Sequence, residues 1–405
     1  MCVAFGFCFC RPAAGSRGDV APYTGLGAGL REAGHEVAVA APGSFAALVR
    51  EAGLGFRGLP GRPAAAGGAD GNRALMRTAA AFVTELGQGF ADAVDPRTDL
   101  LLLSATTAPL GLHLAEALGV PAIGVFLQPT APTGDFPPTV LGSRSLGRTG
   151  NRLAGRFALR MTDRVYAEAV ASLRRRLGLP PLTPAAMRGR REKAHWRVLH
   201  GFSTALVPRP SDWRDGLDVT GTWWPYVAPH RRLPAEVEDF LAAGPRPVFV
   251  GFGSMAGGQG ERLGALVGGA LRRAGLRAVV QAGSADLAVD GDGVLNVGDL
   301  PHALLFPRVA AVVHHAGAGT TAAALRAGAP SVPVPVTADQ PFWAARLAAT
   351  GAATEPVAFA GLTEERLAGA LERVVRQQSY ARAASVAARH MATEDGVGAV
   401  LKALG

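Results

Sequence analysis

A run of apolar residues ending at Val312-Val313 passes into His314-His315-Ala316-Gly317-Ala318-Gly319-Thr320-Thr321, and an alanine-rich segment that reads as a helix begins near Ala322. Small residues at such a strand-to-helix turn let backbone N–H groups approach an anion. The helix N-terminus adds partial positive charge, and Thr320 or Thr321 offers a hydroxyl as donor or cap. The chemistry this pattern serves is phosphate binding. A glycine turn also serves simply to reverse the chain, and the histidine before it adds weight to the phosphate reading. A second turn, Gly251-Phe252-Gly253-Ser254, closes another apolar run, where Ser254 offers a further phosphate donor. Neither turn carries the Gly-Lys-Ser/Thr of a P-loop, and no Asp/Glu cluster has metal-ligand spacing, so the protein itself must meet the phosphate charge.

Two acidic positions complete the set. Asp19, in Ala14-Gly15-Ser16-Arg17-Gly18-Asp19, follows the first strand-like run and precedes a helix that Pro22 begins, where a carboxylate serves equally as N-cap or as acid/base group. Asp339-Gln340-Pro341 either caps the helix containing Trp343 and Arg346 or offers a paired carboxylate and amide to sugar hydroxyls.

The elements that must hold these residues form two series. Strands are expected at Val3 to Cys10, Glu36 to Ala41, Leu100 to Ser104 and Ala122 to Phe126, with helices at Pro22 to Ala33 and Pro109 to Leu118. Thr220 to Pro234 is too rich in proline and bulky aromatics for a regular element. A second series follows: Pro247 to Phe252, Ala278 to Gln281, Val294 to Val297, Ala310 to His314 and Ser331 to Val334. The pattern predicts an α/β chain of two Rossmann-like, doubly wound domains. The boundaries expected are 1–215, a linker at 216–244, 245–385, and a helix at 386–405 returning to the first domain. A length of 405 residues and 48% hydrophobic content suffice for two cores. The patches around Ala64 to Gly71 read as a loop.

Charge is uneven. The chain carries +9, but Arg144 to Arg197 alone holds 14 basic and 3 acidic residues. A global basic field would suggest nucleic acid; a single stripe suggests a solvated helix face or peripheral contact with an anionic membrane, and no nucleic-acid partner is expected. Within the stripe, arginines recur every fourth residue from Arg144 to Arg164. The three cysteines, Cys2, Cys8 and Cys10, make no disulfide framework, which fits a reducing cytoplasm; no apolar run reaches the length of a membrane span and no signal peptide is expected.

Taken together, GSRGDVAPYTGLGAGLREAGHEV, PVFVGFGSM and HHAGAGTTAAALRAGAPSVPVPVTADQPFWAARL resemble, in that order, motifs of nucleotide-sugar glycosyltransferases with the GT-B fold. The likeness is to bacterial glycopeptide-antibiotic and sterol-type glucosyltransferases. The resemblance implies that Asp19 is the general base and that His315, Gly317, Gly319 and Thr320 cradle a diphosphate with Ser16 and Ser254. It also implies that Asp339 and Gln340 contact the donor sugar. At the position where plant relatives stack an aromatic ring on the base, this chain has Val297, so base recognition falls to backbone groups and the Gln281 to Ser284 loop.

The activity implied is metal-independent, inverting transfer of a hexose or deoxyhexose from a UDP- or dTDP-sugar, a co-substrate rather than a cofactor, to a small acceptor. Natural-product decoration is the first reading. A sterol or membrane-lipid acceptor, a nucleotide-sugar epimerase and a non-catalytic partner protein are the alternatives. Acceptor contacts are expected from loops around Pro60 to Phe82 and Gln128 to Arg148, including Phe82, Phe136 and Leu141. The assembly is expected to be a monomer or homodimer.

Overall fold

The computed structural model describes residues 2–6, 17–61, 72–253, 259–283 and 286–405. The first series runs β1 (Cys2–Gly6), α1 (Arg17–Glu32), β2 (Glu36–Pro42), α2 (Ala46–Glu51), β3 (Gly55–Leu59), α3 (Asn72–Ala93) and β4 (Leu100–Leu103). It continues through α4 (Ala108–Leu118), β5 (Ala122–Phe126), α5 (Gly147–Arg176), α6 (Pro184–Lys193), β6 (Val198–His200) and β7 (Leu217–Val219). The second runs α7 (Ala235–Ala242), β8 (Val248–Gly251), α8 (Gly260–Ala274), β9 (Ala278–Gln281), β10 (Val294–Val297), α9 (His302–Leu305) and β11 (Ala311–His314). It ends with α10 (Ala318–Arg326), β12 (Ser331–Pro333), α11 (Gln340–Ala349), α12 (Glu364–Arg376), α13 (Gln378–Ala392) and α14 (Gly396–Leu404).

Among the described residues the strands form two parallel sheets, ordered β3-β2-β1-β4-β5-β6-β7 and β10-β9-β8-β11-β12. Both are doubly wound, with helices on both faces, so central strands such as Leu100–Leu103 and Val248–Gly251 are buried at every position. On the first sheet, Phe82, Leu86 and Phe90 of α3 and Leu173 of α5 cover one face, while Leu26 and Leu30 of α1 and Val400 of α14 cover the other. On the second sheet, α8 and α12 pack Leu263, Val267, Leu367 and Leu371 against one face; Val237, Leu305, Phe306 and Ala324 close the other.

Strand order reverses between β1 and β4 in the first sheet and between β8 and β11 in the second. Ligands of open α/β sheets lie outside strand C-termini at such switch points. Among the described residues, Gly251 to Gly253 follow β8 and His315 to Thr321 follow β11 at such a point, and Arg17 to Asp19 open the helix after β1.

Several expectations are revised. Helix α1 begins at Arg17 and carries Pro22 inside it, rather than beginning at Pro22. Val20 to Thr24 are all buried, and their packing holds the turn before the proline despite the hydrogen bond that its ring removes. Strand β1 is described only to Gly6, and Cys8, Cys10 and the Ala64 to Gly71 patch lie outside the described residues. Leu217–Val219 joins the first sheet as an edge strand and Ala235–Ala242 is helical, so the segment between the sheets without helix or strand is 220–234.

That segment is anchored by Trp223, which is 1% exposed. Its indole Nε1–H donates to the Gly396 carbonyl at 3.1 Å and its ring lies 5.8 Å from that of Tyr23. A Cβ at Gly201 would meet the ring at 2.3 Å, so the packing there admits only glycine. Trp223→Ala is expected to cost roughly 3–5 kcal/mol in denaturant unfolding; a loss under about 1 kcal/mol, in the range of ordinary surface substitutions, would show that the ring does not hold α14 to the first domain.

His113, His200 and His314 are fully buried. Burial pushes their pKa values down to about 4, about 4 and about 3, respectively. Each folded pKa therefore lies below the unfolded value of about 6.5, and as pH falls through that window the unfolded chain takes up protons that the folded chain does not. The midpoint of thermal unfolding should fall as pH drops from 7 to 5; a flat profile would contradict the assignment of these rings as neutral.

Candidate active site

The site is built where β8, β9 and β11 end. β11 closes on His314, whose Nδ1 accepts the Ala316 N–H at 3.1 Å. That bond braces Ala316, fully buried, at φ 59°, a left-handed conformation that is uncommon for a residue with a side chain. The chain then turns into α10 with Gly317 as N-cap, and no side chain caps the helix. Thr321 N–H bonds back to the Gly317 carbonyl. The N–H groups of Ala318, Gly319 and Thr320 precede any intrahelical acceptor, a helix end of the kind that can receive an anion.

His315 sits against the neighbouring turn. A Cβ on Gly253 would come within 2.8 Å of its ring and one on Gly317 within 2.6 Å, so the imidazole fits only because both positions are glycine. A Cβ on Gly283, after β9, would meet the Gly253 carbonyl at 2.6 Å. Burial holds the His315 pKa at about 4, against an opposing hydrogen bond to the Gly251 backbone, and the ring is neutral at physiological pH. His302, stacked on Phe306 with centroids 4.3 Å apart, is likewise lowered to about 4 by burial, then by Arg17 and His315.

The first domain contributes from α1, which packs against α10. Asp19 lies in the first turn of α1, partly exposed, where a carboxylate complements the helix N-terminus. Its charge reaches Tyr23: burial first, and Asp19 second, push the Tyr23 phenol well above its ordinary pKa, while its hydroxyl donates to the Val125 carbonyl at 2.8 Å. Arg17, two residues earlier, forms an ion pair with Asp299 in the loop after β10, and Asp299 also accepts Gln281 Nε2 at 3.2 Å.

A second contact crosses the cleft. Asp339 stands at the N-cap of α11 without a side-chain capping bond; its Oδ2 accepts Gln128 Nε2 from the first domain at 2.7 Å and Trp343 Nε1 at 3.1 Å. Ala338, immediately before it, is at φ 65°. Gln340 is buried, with Oε1 accepting the N–H groups of Val336 at 2.8 Å and Thr337 at 3.1 Å, so its carbonyl end braces the loop that presents Asp339.

Other sequence candidates fall elsewhere. Val297 faces the core cluster of Phe249, Leu300 and Phe306. Phe82 and Phe136 are core residues, Phe136 packing edge-on to Phe342 at 5.4 Å, whereas Leu141 is 59% exposed. Ser16, Ser254 and Ser284 lie outside the described residues. Sequence reasoning passed over Arg17, Gln128, Asp299 and His302; the adjacency of Arg17 to Asp19 was a usable signal, but the roles of the others emerge only across the cleft. Among the described residues no group of three His, Cys, Asp or Glu side chains converges as metal ligands.

Comparison with known proteins fits this geometry. The profile of the Glycosyltransferase family 28 N-terminal domain matches residues 12–134, and that of the Erythromycin biosynthesis protein CIII-like C-terminal domain matches residues 278–404. The chain is 37% identical to O-mycaminosyltylonolide 6-deoxyallosyltransferase of Streptomyces fradiae, over 95% of this chain and 93% of that one. It is 31% identical to the sterol 3-beta-glucosyltransferase UGT80A2 of Arabidopsis thaliana over 96% of this chain, spanning 64% of the plant protein. Spinosyn rhamnosyltransferase SpnG, solved in complex with thymidine diphosphate, shares the fold at a TM-score of 0.65 and 22% identity, with 100% of this chain and 99% of that chain covered. With two doubly wound sheets and these family matches over most of its length, the chain belongs to the glycosyltransferases of the GT-B fold.

Proposed function

We propose that the chain transfers a hexose or deoxyhexose from a UDP- or dTDP-sugar to a hydroxyl of a small, partly hydrophobic natural product, with inversion at the anomeric carbon. The observation that carries this reading is the open N-terminus of α10, held by the left-handed Ala316 and lined by the neutral His315. It suits a leaving diphosphate, whose charge grows as the anomeric C–O bond breaks, and donors fixed in advance favour that transition state over the ground state. The acceptor oxygen forms the new bond to the anomeric carbon while Asp19 takes its proton, and the nucleoside diphosphate departs. Asp339 orients the sugar, with Gln340 stiffening its loop. The Streptomyces relative supports a natural-product acceptor by its own substrate, and the thymidine diphosphate complex of SpnG supports a dTDP donor. The sterol relative keeps a lipid-like acceptor as the second reading.

Asp19→Asn should lower turnover by about 10²- to 10⁴-fold, the usual worth of a general base, while calorimetric affinity for UDP or dTDP stays close to that of the parent. Near-normal turnover of the variant would remove Asp19 from the mechanism. Failure of the parent to bind either nucleotide would remove the cradle. Interconversion of the donor sugar without any acceptor would indicate an epimerase.

A further inference from the structure

One feature of the described surface has no part in the site described above. Six large hydrophobic side chains stand far out of the described surface, and five of them fall within 18 consecutive residues: Val140, Leu141, Leu146, Leu153 and Phe157, each about 60% exposed. Soluble surfaces scatter such residues singly, so a cluster marks an interaction site.

The first half of α5 orders the cluster further. At 3.6 residues per turn, Leu153, Arg156, Phe157, Arg160 and Arg164 fall within an arc of about 100°, opposite the side that buries Asn151, Gly155 and Tyr166. Between 140 and 164 the chain holds six arginines and one carboxylate. Three nearby acids are already committed, Asp135 to Arg148, Asp212 to Arg152 and Asp163 to Arg188, while Glu168, one turn beyond Arg164, is the one exposed carboxylate bordering this face on α5. Arg144, Arg156, Arg160 and Arg164 are exposed and make no ion pair among the described residues.

From this face we infer that the chain docks on the surface of an anionic lipid bilayer, with Leu146, Leu153 and Phe157 entering the headgroup boundary and Arg144, Arg156, Arg160 and Arg164 meeting lipid phosphates. Interleaved large apolar and guanidinium groups on one helical face suit that boundary, because arginine stems lie along apolar surface while their heads stay at the phosphates. A nucleic acid would leave the phenyl and leucyl groups in water. A second copy in a two-fold contact would set four arginines against the same four, with only Glu168 of each copy to offset them. The turn Thr139–Leu141 continues the patch to α11, so docking brings the acceptor side of the cleft to the lipid. The docking does not depend on the transfer reaction proposed above.

Sedimentation of the full chain with vesicles tests the inference. The parent should bind vesicles of phosphatidylcholine mixed with phosphatidylglycerol, lose that binding in high salt, and bind phosphatidylcholine alone weakly. Each arginine is worth about a fivefold change in partition, so Arg156→Gln with Arg160→Gln should weaken binding about 25-fold. Leu153→Ser with Phe157→Ser should weaken it tenfold or more, on the order of the burial of two large side chains. All four positions are exposed, so both variants should keep the parent's melting temperature and its turnover of soluble substrates. Absence of parent binding, equal binding to both vesicle types, or binding indifferent to both variants would overturn the inference. So would a parent dimer that either variant makes monomeric, which would assign the face to a second copy.

Discussion

The imidazole of His315 occupies space that a Cβ on Gly253 or Gly317 would need, and the rest of the site depends on that close approach. It allows the turns after β8 and β11 to come together at the point where the second sheet reverses its strand order. Were either glycine larger, the ring would be displaced and the α10 N-terminus would no longer open beside it. The left-handed Ala316 belongs to the same arrangement: a conformation of order 1–3 kcal/mol above the usual ones persists because His314 and the buried surroundings of Ala316 over-determine it. Such strain is affordable in a large parallel core and is found where a backbone must present its N–H groups outward.

Across the cleft, the second constraint is electrostatic. Arg17 with Asp299, and Gln128 with Asp339, join the two domains through polar side chains. Polar contacts of this kind, unlike a dry apolar interface, can be exchanged for contacts to a ligand with little change in buried apolar area. The apolar joining surface lies behind them, where Trp343 packs with Phe202 and Phe342. Rigid support and exchangeable polar contacts are thus separated in space.

Much of this was legible in the sequence, for identifiable reasons. β4, β8 and β11 fall within a residue of where apolar runs between turn residues place them, because fully buried parallel strands read as uninterrupted apolar stretches. β3, Gly-Phe-Arg-Gly-Leu, was not legible: it is an edge strand, mostly exposed, with two glycines and a charge. β6 and β7 are three residues each, too short for a period to register. At the site, the glycine turn and its histidine announce themselves locally. Gln128 does not, since it meets Asp339 from 211 residues away and its own neighbourhood gives no sign of it. Phe82 and Phe136 misled for the opposite reason: an aromatic in a loop or an adjoining helix looks the same in sequence whether it faces a ligand or a core.

The return of α14 to the first sheet bears on how the chain is made. Val397, Val400 and Leu401 of α14 share a cluster with Tyr23, Leu26 and Leu30 of α1 and with Trp223. Domains usually fold as units as they leave the ribosome, the N-terminal one first. Here the first sheet lacks part of the cover on one face until residues 396–404 have emerged, by which time the entire second domain has been synthesised. The surface of Tyr23, Leu26 and Trp223 that awaits α14 is therefore left without that cover until the end of synthesis.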